Sequence, residues 1–148
     1  MIHRKANQEK IKSLLGSLVN GEDYKLQPAT DEQMKAFVKT AAEKCVPQNV
    51  IVQLTELYEV ANDYTYEIVL AFHNCADEII FEWWDEDREL WLGQRDFHTL
   101  RWANEKFCLG DAGNISFGKE YEADTLIQLI EICLKDIEEA NCFGENGK

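Results

Sequence analysis

The sequence has few basic residues, only two prolines and no long hydrophobic run. Fifteen Lys and Arg stand against 28 Asp and Glu in 148 residues, a formal net charge of −13. Nucleic acids and anionic lipids are bound by Lys and Arg, so we predict neither as a partner; a basic partner would be favoured. The alternative is that acidity only keeps the protein in solution. No apolar run follows the basic residues of 1–12, which predicts a cytoplasmic protein without a membrane span or secretory signal.

Cysteine is present, but in no pattern that predicts disulfide bonds or a metal centre. The five cysteines are an odd number, are widely spaced and form no Cys-x-x-Cys pair. In a reducing compartment we expect them to be free thiols. His73 and Cys75 could supply two zinc ligands, but structural zinc sites use closely spaced cysteine pairs. We therefore predict no metal and no cofactor.

The motifs of the common enzyme classes are also missing. The sequence has no Gly-rich phosphate loop, no Gly-x-Ser-x-Gly elbow and no His-Glu-x-x-His helix. Its acidic residues offer too many carboxylate pairs to single out one for acid–base chemistry. The sequence therefore predicts a binding protein, not an enzyme. A small enzyme of unrecognised type is the weakest alternative.

Three amphipathic helices are predicted before residue 63. Residues 7–19 carry apolar side chains at helical spacing, and Asn20-Gly21 would end that helix. Thr30-Asp-Glu-Gln33 is typical of a capping box, so a second helix begins there. Pro47 fits the first turn of a third helix.

The second half of the sequence predicts antiparallel strands. Six segments rich in β-branched and aromatic residues are expected to be strands: 64–72, 78–84, 90–94, 98–102, 106–109 and 115–117. Residues 85–87 would form the tip of a hairpin. A last helix would begin at Asp124 or Thr125, and 141–148 would be a frayed tail.

Together these elements predict the α+β class. N-terminal helices come first, then an antiparallel meander of four to six strands, then a closing C-terminal helix. We expect a single domain over 1–148, with a leading helix within 1–22 and a core over 28–140.

One stretch combines aromatic and acidic residues at high density. Because alternate residues of a strand face opposite sides, a strand over 78–84 would turn Glu82 and Trp84 outward. An exposed Trp among carboxylates is typical of a protein-binding surface, although both neighbouring Trp residues could instead build opposite sides of a covered sheet. The predicted contact residues are Glu82, Trp84, Asp85, Glu86, Asp87 and Glu89, with Trp91 and Asp111 behind them.

Several segments resemble the SUKH family. Residues 28–37 are similar to the Pro-Ala-Ser/Thr-x-x-x-Ile opening of its first core helix, and 46–62 to its Leu-Pro…Leu-Tyr…Asn-Gly helix. Residues 109–114 resemble a turn that often reads Gly-Asp-x-x-Gly. The chain departs from the family at Val46, where Leu is usual before Pro, and at Asp63, where Gly is favoured.

The resemblance implies a binding role. SUKH proteins include yeast glucan-synthesis regulators and many bacterial immunity proteins, which bind a toxin, often a nuclease, delivered by neighbouring cells. A basic toxin domain is therefore the expected partner, because nucleases are usually basic where they hold phosphate. A regulatory or scaffold protein without a toxin partner is the alternative. The sequence does not fix the oligomeric state.

Overall fold

The computed structural model describes residues 2–18, 26–66 and 69–146, with side chains between residues 4 and 140. It has the predicted α+β architecture, with N-terminal helices, an antiparallel sheet and a closing helix. No helix in the described ranges is long and apolar enough to cross a membrane.

Three helices open the chain, as predicted. They are α1 (Ile2–Ser17), α2 (Asp31–Glu43) and α3 (Gln48–Tyr58). The capping box of α2 is confirmed, because the Gln33 amide donates to the Thr30 hydroxyl at 3.1 Å and the Thr30 amide donates to the Gln33 side chain at 2.9 Å. The predicted end of α1 at Asn20-Gly21 lies outside the described residues.

The strands form one antiparallel sheet in sequence order. They are β1 (Thr65–Tyr66), β2 (Leu70–Phe72), β3 (Leu90–Arg95), β4 (His98–Ala103), β5 (Lys106–Gly110) and β6 (Glu122–Ala123). The prediction of one strand over 64–72 was wrong, because a turn at Val69 divides it; residues 67 and 68 of that prediction lie outside the description.

The predicted strand over 115–117 is also wrong. Asp111 starts a tight turn that folds the chain back, and the Phe117 amide donates a backbone hydrogen bond to the Leu109 carbonyl at 3.0 Å. Glu122–Ala123 pairs with β5 in place of that segment.

The closing helix α5 (Leu126–Asn146) covers one face of the sheet. It is longer than expected, so the predicted tail is helical over 141–146, and 147–148 lie outside the described residues. The face beneath it carries a row of directly paired residues that belong to the core: Leu90, Trp102, Phe107 and Ala123.

The opposite face, here called the outer face, carries the adjacent row of paired residues: Trp91, Arg101, Cys108 and Glu122. A β-bulge between Trp91 and Gly93 adds one residue to β3 at this point. Beyond the bulge, Arg95 forms an ion pair with Asp136 of α5 at 3.3 Å. The two halves of β3 therefore make their contacts on different sides of the sheet.

Candidate functional site

The acidic and aromatic stretch connects β2 to β3 and is helical, so the predicted strand over 78–84 and its hairpin are wrong. The Asp77 carboxylate accepts from the Ile79 amide at 3.1 Å and caps a 3-10 helix, Glu78–Phe81. A short helix α4 (Trp84–Asp87) follows and ends at Arg88, whose φ of 57° is left-handed. The apolar run in this stretch fits the two-residue period of a strand as well as the period of a helix. The cap at Asp77 favours the helical turn.

This change exchanges the roles of two neighbouring tryptophans. Trp84, predicted to face outward, is only 3% exposed. Its indole N–H donates to the Lys44 carbonyl at 2.7 Å, and its ring lies 6.1 Å from that of Trp102. Trp83 is 37% exposed instead, and its ring centroid lies 5.7 Å from that of Trp91. In a strand, alternate side chains face opposite sides, but in a helix they do not. The strand prediction therefore identified the wrong tryptophan as exposed.

Three of the predicted acidic residues lie close to this exposed tryptophan along the chain: Glu82 precedes it, and Glu86 and Asp87 follow one helical turn later. Glu82, Glu86 and Asp87 are exposed, and within the described ranges none of them forms an ion pair. Asp85 is exposed as well, but it is paired with Lys44 at 3.1 Å. We call the group of Glu82, Trp83, Glu86 and Asp87, with Trp91 beneath, the acidic–aromatic surface.

Arg101 supports this surface from the outer face of the sheet. Its guanidinium carbon lies 4.4 Å from the centroid of the Trp91 ring, and the residue is only 3% exposed. Glu89 lies 3.6 Å from the Arg101 Nε atom and accepts from the Trp91 indole N–H at 3.0 Å. Glu89 and Trp91 are thus tied to Arg101 and fix the base on which Trp83 packs.

Sequence reasoning missed both Trp83 as the exposed residue and Arg101 as the support. The strand pattern places Arg101 between Leu100 and Trp102, on the face away from the core, which was available from the sequence. Its pairing with Trp91 depends on the register of β3 against β4, which includes the bulge.

Asp111 has a different role from the other predicted contact residues. Its carboxylate accepts from the backbone amides of Gly113 at 2.9 Å and Asn114 at 2.8 Å, and its carbonyl accepts from Arg101 at 2.9 Å. Burial alone would raise the pKa of Asp111, but the hydrogen bonds from Asn114 and Gly113 outweigh it and lower the pKa. Asp111 therefore shapes the turn after β5, and its carboxylate is engaged within that turn.

A shallow cleft of about 420 Å³ lies between this turn and β5. Its lining includes Cys108, Ser116 and Glu122, and the Ser116 hydroxyl donates to the Glu122 carboxylate at 2.6 Å. Burial, assisted by Glu122, raises the pKa of Cys108 to about 11, so its thiol stays protonated at neutral pH. A protonated thiol is a poor nucleophile.

In the part of the chain that the structure describes, no three or more His, Cys, Asp or Glu side chains lie close enough together to hold a metal ion. His73 is half-buried at the end of β2, and burial lowers its pKa despite Asp77 and Asp63 nearby.

Comparison with known proteins identifies no relative: no family model matches the chain, and neither the curated proteins nor the solved structures give a significant match. The resemblance to the SUKH family therefore stays a prediction, and the acidic–aromatic surface is the feature from which a function can be argued.

Proposed function

We propose that this chain is a protein-binding module that neutralises a basic toxin domain, such as a nuclease, and so acts as an immunity protein of the SUKH type. One observation carries the proposal. Trp83 is 37% exposed, packs on Trp91 at 5.7 Å and lies within one helical turn of three exposed acidic residues, Glu82, Glu86 and Asp87.

The aromatic part of this surface suits a protein partner. Tryptophan is enriched among the residues that dominate binding energy, because a rigid indole buries a large area at low entropic cost. Trp83 is held from below by Trp91, which is itself fixed by Arg101 and Glu89. This contact restrains the ring before a partner arrives, which reduces the cost of ordering it on binding.

The charged part of the surface suits a basic partner. Exposed carboxylates that form no ion pair within their own chain gain most from a Lys or Arg supplied by another molecule. The formal net charge of −13 extends the attraction beyond the contact itself and accelerates encounter with a positively charged protein. Toxins that cleave nucleic acid meet this requirement, since they hold phosphate with basic residues.

The test is to isolate the partner and then measure its affinity. The tagged protein would be used to capture partners from its own organism's lysate at low and high salt. We expect a stoichiometric basic protein that carries a toxin domain, is released at high salt and loses its toxicity in the complex. A captured signalling or cell-wall protein would instead favour the regulatory alternative.

Calorimetric titration of the captured partner into variants of this protein then tests where the binding site lies. Glu82→Lys with Glu86→Lys should weaken binding by about tenfold or more, whereas Glu138→Lys with Glu139→Lys makes the same charge change on α5 and should preserve the affinity. The control residues lie beyond Asp136, which contacts the far end of β3, about 17 Å along the strand from its start. Unchanged affinity in the first variant would place the site elsewhere.

A further inference from the structure

A second concave site lies where α1, α3 and the first turn of α5 meet. It has a volume of about 390 Å³ and shares no residue with the acidic–aromatic surface. The polar residues in its lining are Asn7, Gln53, Glu56, Thr125, Gln128 and Glu131. Ile11 and Leu126 add apolar wall. The volume lies within the range of pockets for small molecules, and the lining is more polar than is usual for them.

Glu56 is the unusual residue of this pocket. It is only 4% exposed, yet among the described side chains its two carboxylate oxygens receive hydrogen bonds from one neutral donor, the Asn7 amide, at 3.3 and 3.2 Å. The neighbouring cations are engaged elsewhere, since Arg4 pairs with Glu59 and Lys10 lies 3.8 Å from Glu131. Among the described residues, no Lys, Arg or His forms an ion pair with Glu56.

Folding alone gives no reason for a carboxylate at this position. A buried charge costs free energy unless a charged partner and several hydrogen bonds offset the loss of water. A glutamine would accept the Asn7 hydrogen bond equally well without that cost. The carboxylate therefore suits a positively charged group that enters the pocket from outside.

The first turn of α5 also lines the pocket, but two of its amides already donate to side chains. The Leu126 amide donates to Gln53 at 2.8 Å, and the Gln128 amide donates to Thr125 at 3.2 Å. The attraction of a helix N-terminus for anions is therefore largely used within the protein. The buried charge left to act on a ligand is Glu56, which favours a cation. Glu131 lies nearer the surface, and its exposed pairing with Lys10 at 3.8 Å neutralises it only weakly, so it adds to the same preference.

We propose that this pocket binds a small organic cation with N–H donors, an alkylammonium or alkylguanidinium compound, with Glu56 as its buried counter-ion and Glu131 at the mouth. The donors of the cation would use the lone pairs that the Asn7 hydrogen bonds leave free on the two carboxylate oxygens, and its alkyl chain would lie against Ile11 and Leu126. The site is independent of the proposed toxin-binding surface, because the two have no residue in common.

The test is an NMR titration of the isolated protein at constant ionic strength. The probes are n-butylammonium and n-butylguanidinium chlorides, which show which cation is preferred, and tetramethylammonium chloride is the control cation without N–H donors. We expect saturable shifts of the Asn7 side-chain amide and of the Leu126 and Ile127 backbone amides with at least one of the first two salts. Equal shifts with tetramethylammonium, or no saturation with either probe, would overturn the proposal.

Variants assign the binding to Glu56. Glu56→Gln keeps the shape of the side chain and should weaken binding by about tenfold or more, whereas Glu138→Gln, elsewhere on α5, should not change it. If Glu56→Gln does not fold, Glu131→Gln gives the second measurement, with an expected weakening of about threefold. Affinity that is unchanged in whichever of these two variants is measured would refute the site.

Discussion

Arg101 and Trp91 face each other across β3 and β4, with the guanidinium carbon 4.4 Å from the ring centroid. The planar guanidinium of Arg101 lies against the indole ring of Trp91 and holds it in place. Glu89 contacts both residues, as the ion-pair partner of Arg101 and the hydrogen-bond acceptor of the Trp91 indole N–H. The exposed Trp83 therefore rests on a buried electrostatic support, so the proposed binding surface and the stability of the sheet depend on the same residues.

Replacing Arg101 should destabilise the fold. Arg101→Met keeps much of the side-chain length but leaves Glu89 without its cation, and we expect the free energy of unfolding to fall by about 3 kcal/mol. Adding Glu89→Gln should recover part of the loss, because the uncompensated charge is then removed. Urea denaturation of the two variants checks this expectation, and a single variant as stable as the original protein would contradict it.

The two neighbouring tryptophans should respond in opposite ways to truncation. Trp84→Ala removes a buried ring and its hydrogen bond to Lys44, so it should cost about 3–5 kcal/mol of stability. Trp83→Ala should cost less stability, about 1–2 kcal/mol, but should weaken partner binding by about 2 kcal/mol or more. Denaturation measures the loss of stability, and calorimetry measures the loss of affinity. If the two variants lost similar stability, the difference in burial between Trp84 and Trp83 would be contradicted.

Charge reversal on the acidic–aromatic surface should act on binding and not on folding. Glu82→Lys with Glu86→Lys should lower the association rate with a basic partner by about tenfold or more at low salt, and the difference should shrink as salt is added. Because both side chains are exposed, the free energy of unfolding should change by less than about 0.5 kcal/mol per site. Stopped-flow association at several salt concentrations measures the first effect. A rate that does not depend on salt would be the contrary result.

The thiols should differ sharply in reactivity. Burial raises the pKa of Cys108 to about 11 and that of Cys133 to about 12, whereas Cys45 is exposed. In a Cys142→Ala background at about pH 8, a thiol reagent such as DTNB should label Cys45 first and the buried thiols only after unfolding. Rapid labelling of Cys108 in the folded protein would contradict its burial and show a reactive thiol.

His73 should contribute a pH-dependent part of the stability. Burial lowers its pKa below 6.5, and Asp77 and Asp63 oppose this only in part. The unfolded state therefore binds more protons near that pH, so the contribution is present above about pH 6.5 and is lost as the pH falls through the lowered pKa. Urea melts of His73→Gln at about pH 7.5 and about pH 5 should show a smaller difference than those of the original protein. An equal difference would exclude His73 as the source.

Local signals explain which parts of the fold could be predicted. The capping box at Thr30 and Gln33 depends on neighbouring residues alone, and it was predicted correctly. The stretch from Asp77 to Asp87 could not be assigned by period, because its apolar residues are nearly continuous. Composition alone located the acidic–aromatic surface. Which tryptophan is exposed depends on the helical geometry of the segment, and the contact of Arg101 with Trp91 depends on the register of β3 against β4, which only the assembled sheet specifies.

The bulge in β3 links two functions of one strand. Without the extra residue, Arg95 would point to the same side as Trp91, since residues four apart in a regular strand share a face. With it, Trp91 meets Arg101 on the outer face while Arg95 reaches Asp136 of α5. If one residue were deleted here, β3 could keep either the contact of Trp91 with Arg101 or the ion pair of Arg95 with Asp136, but not both. The length of β3 is thus constrained from both sides of the sheet, and insertions or deletions in this protein should be tolerated elsewhere first.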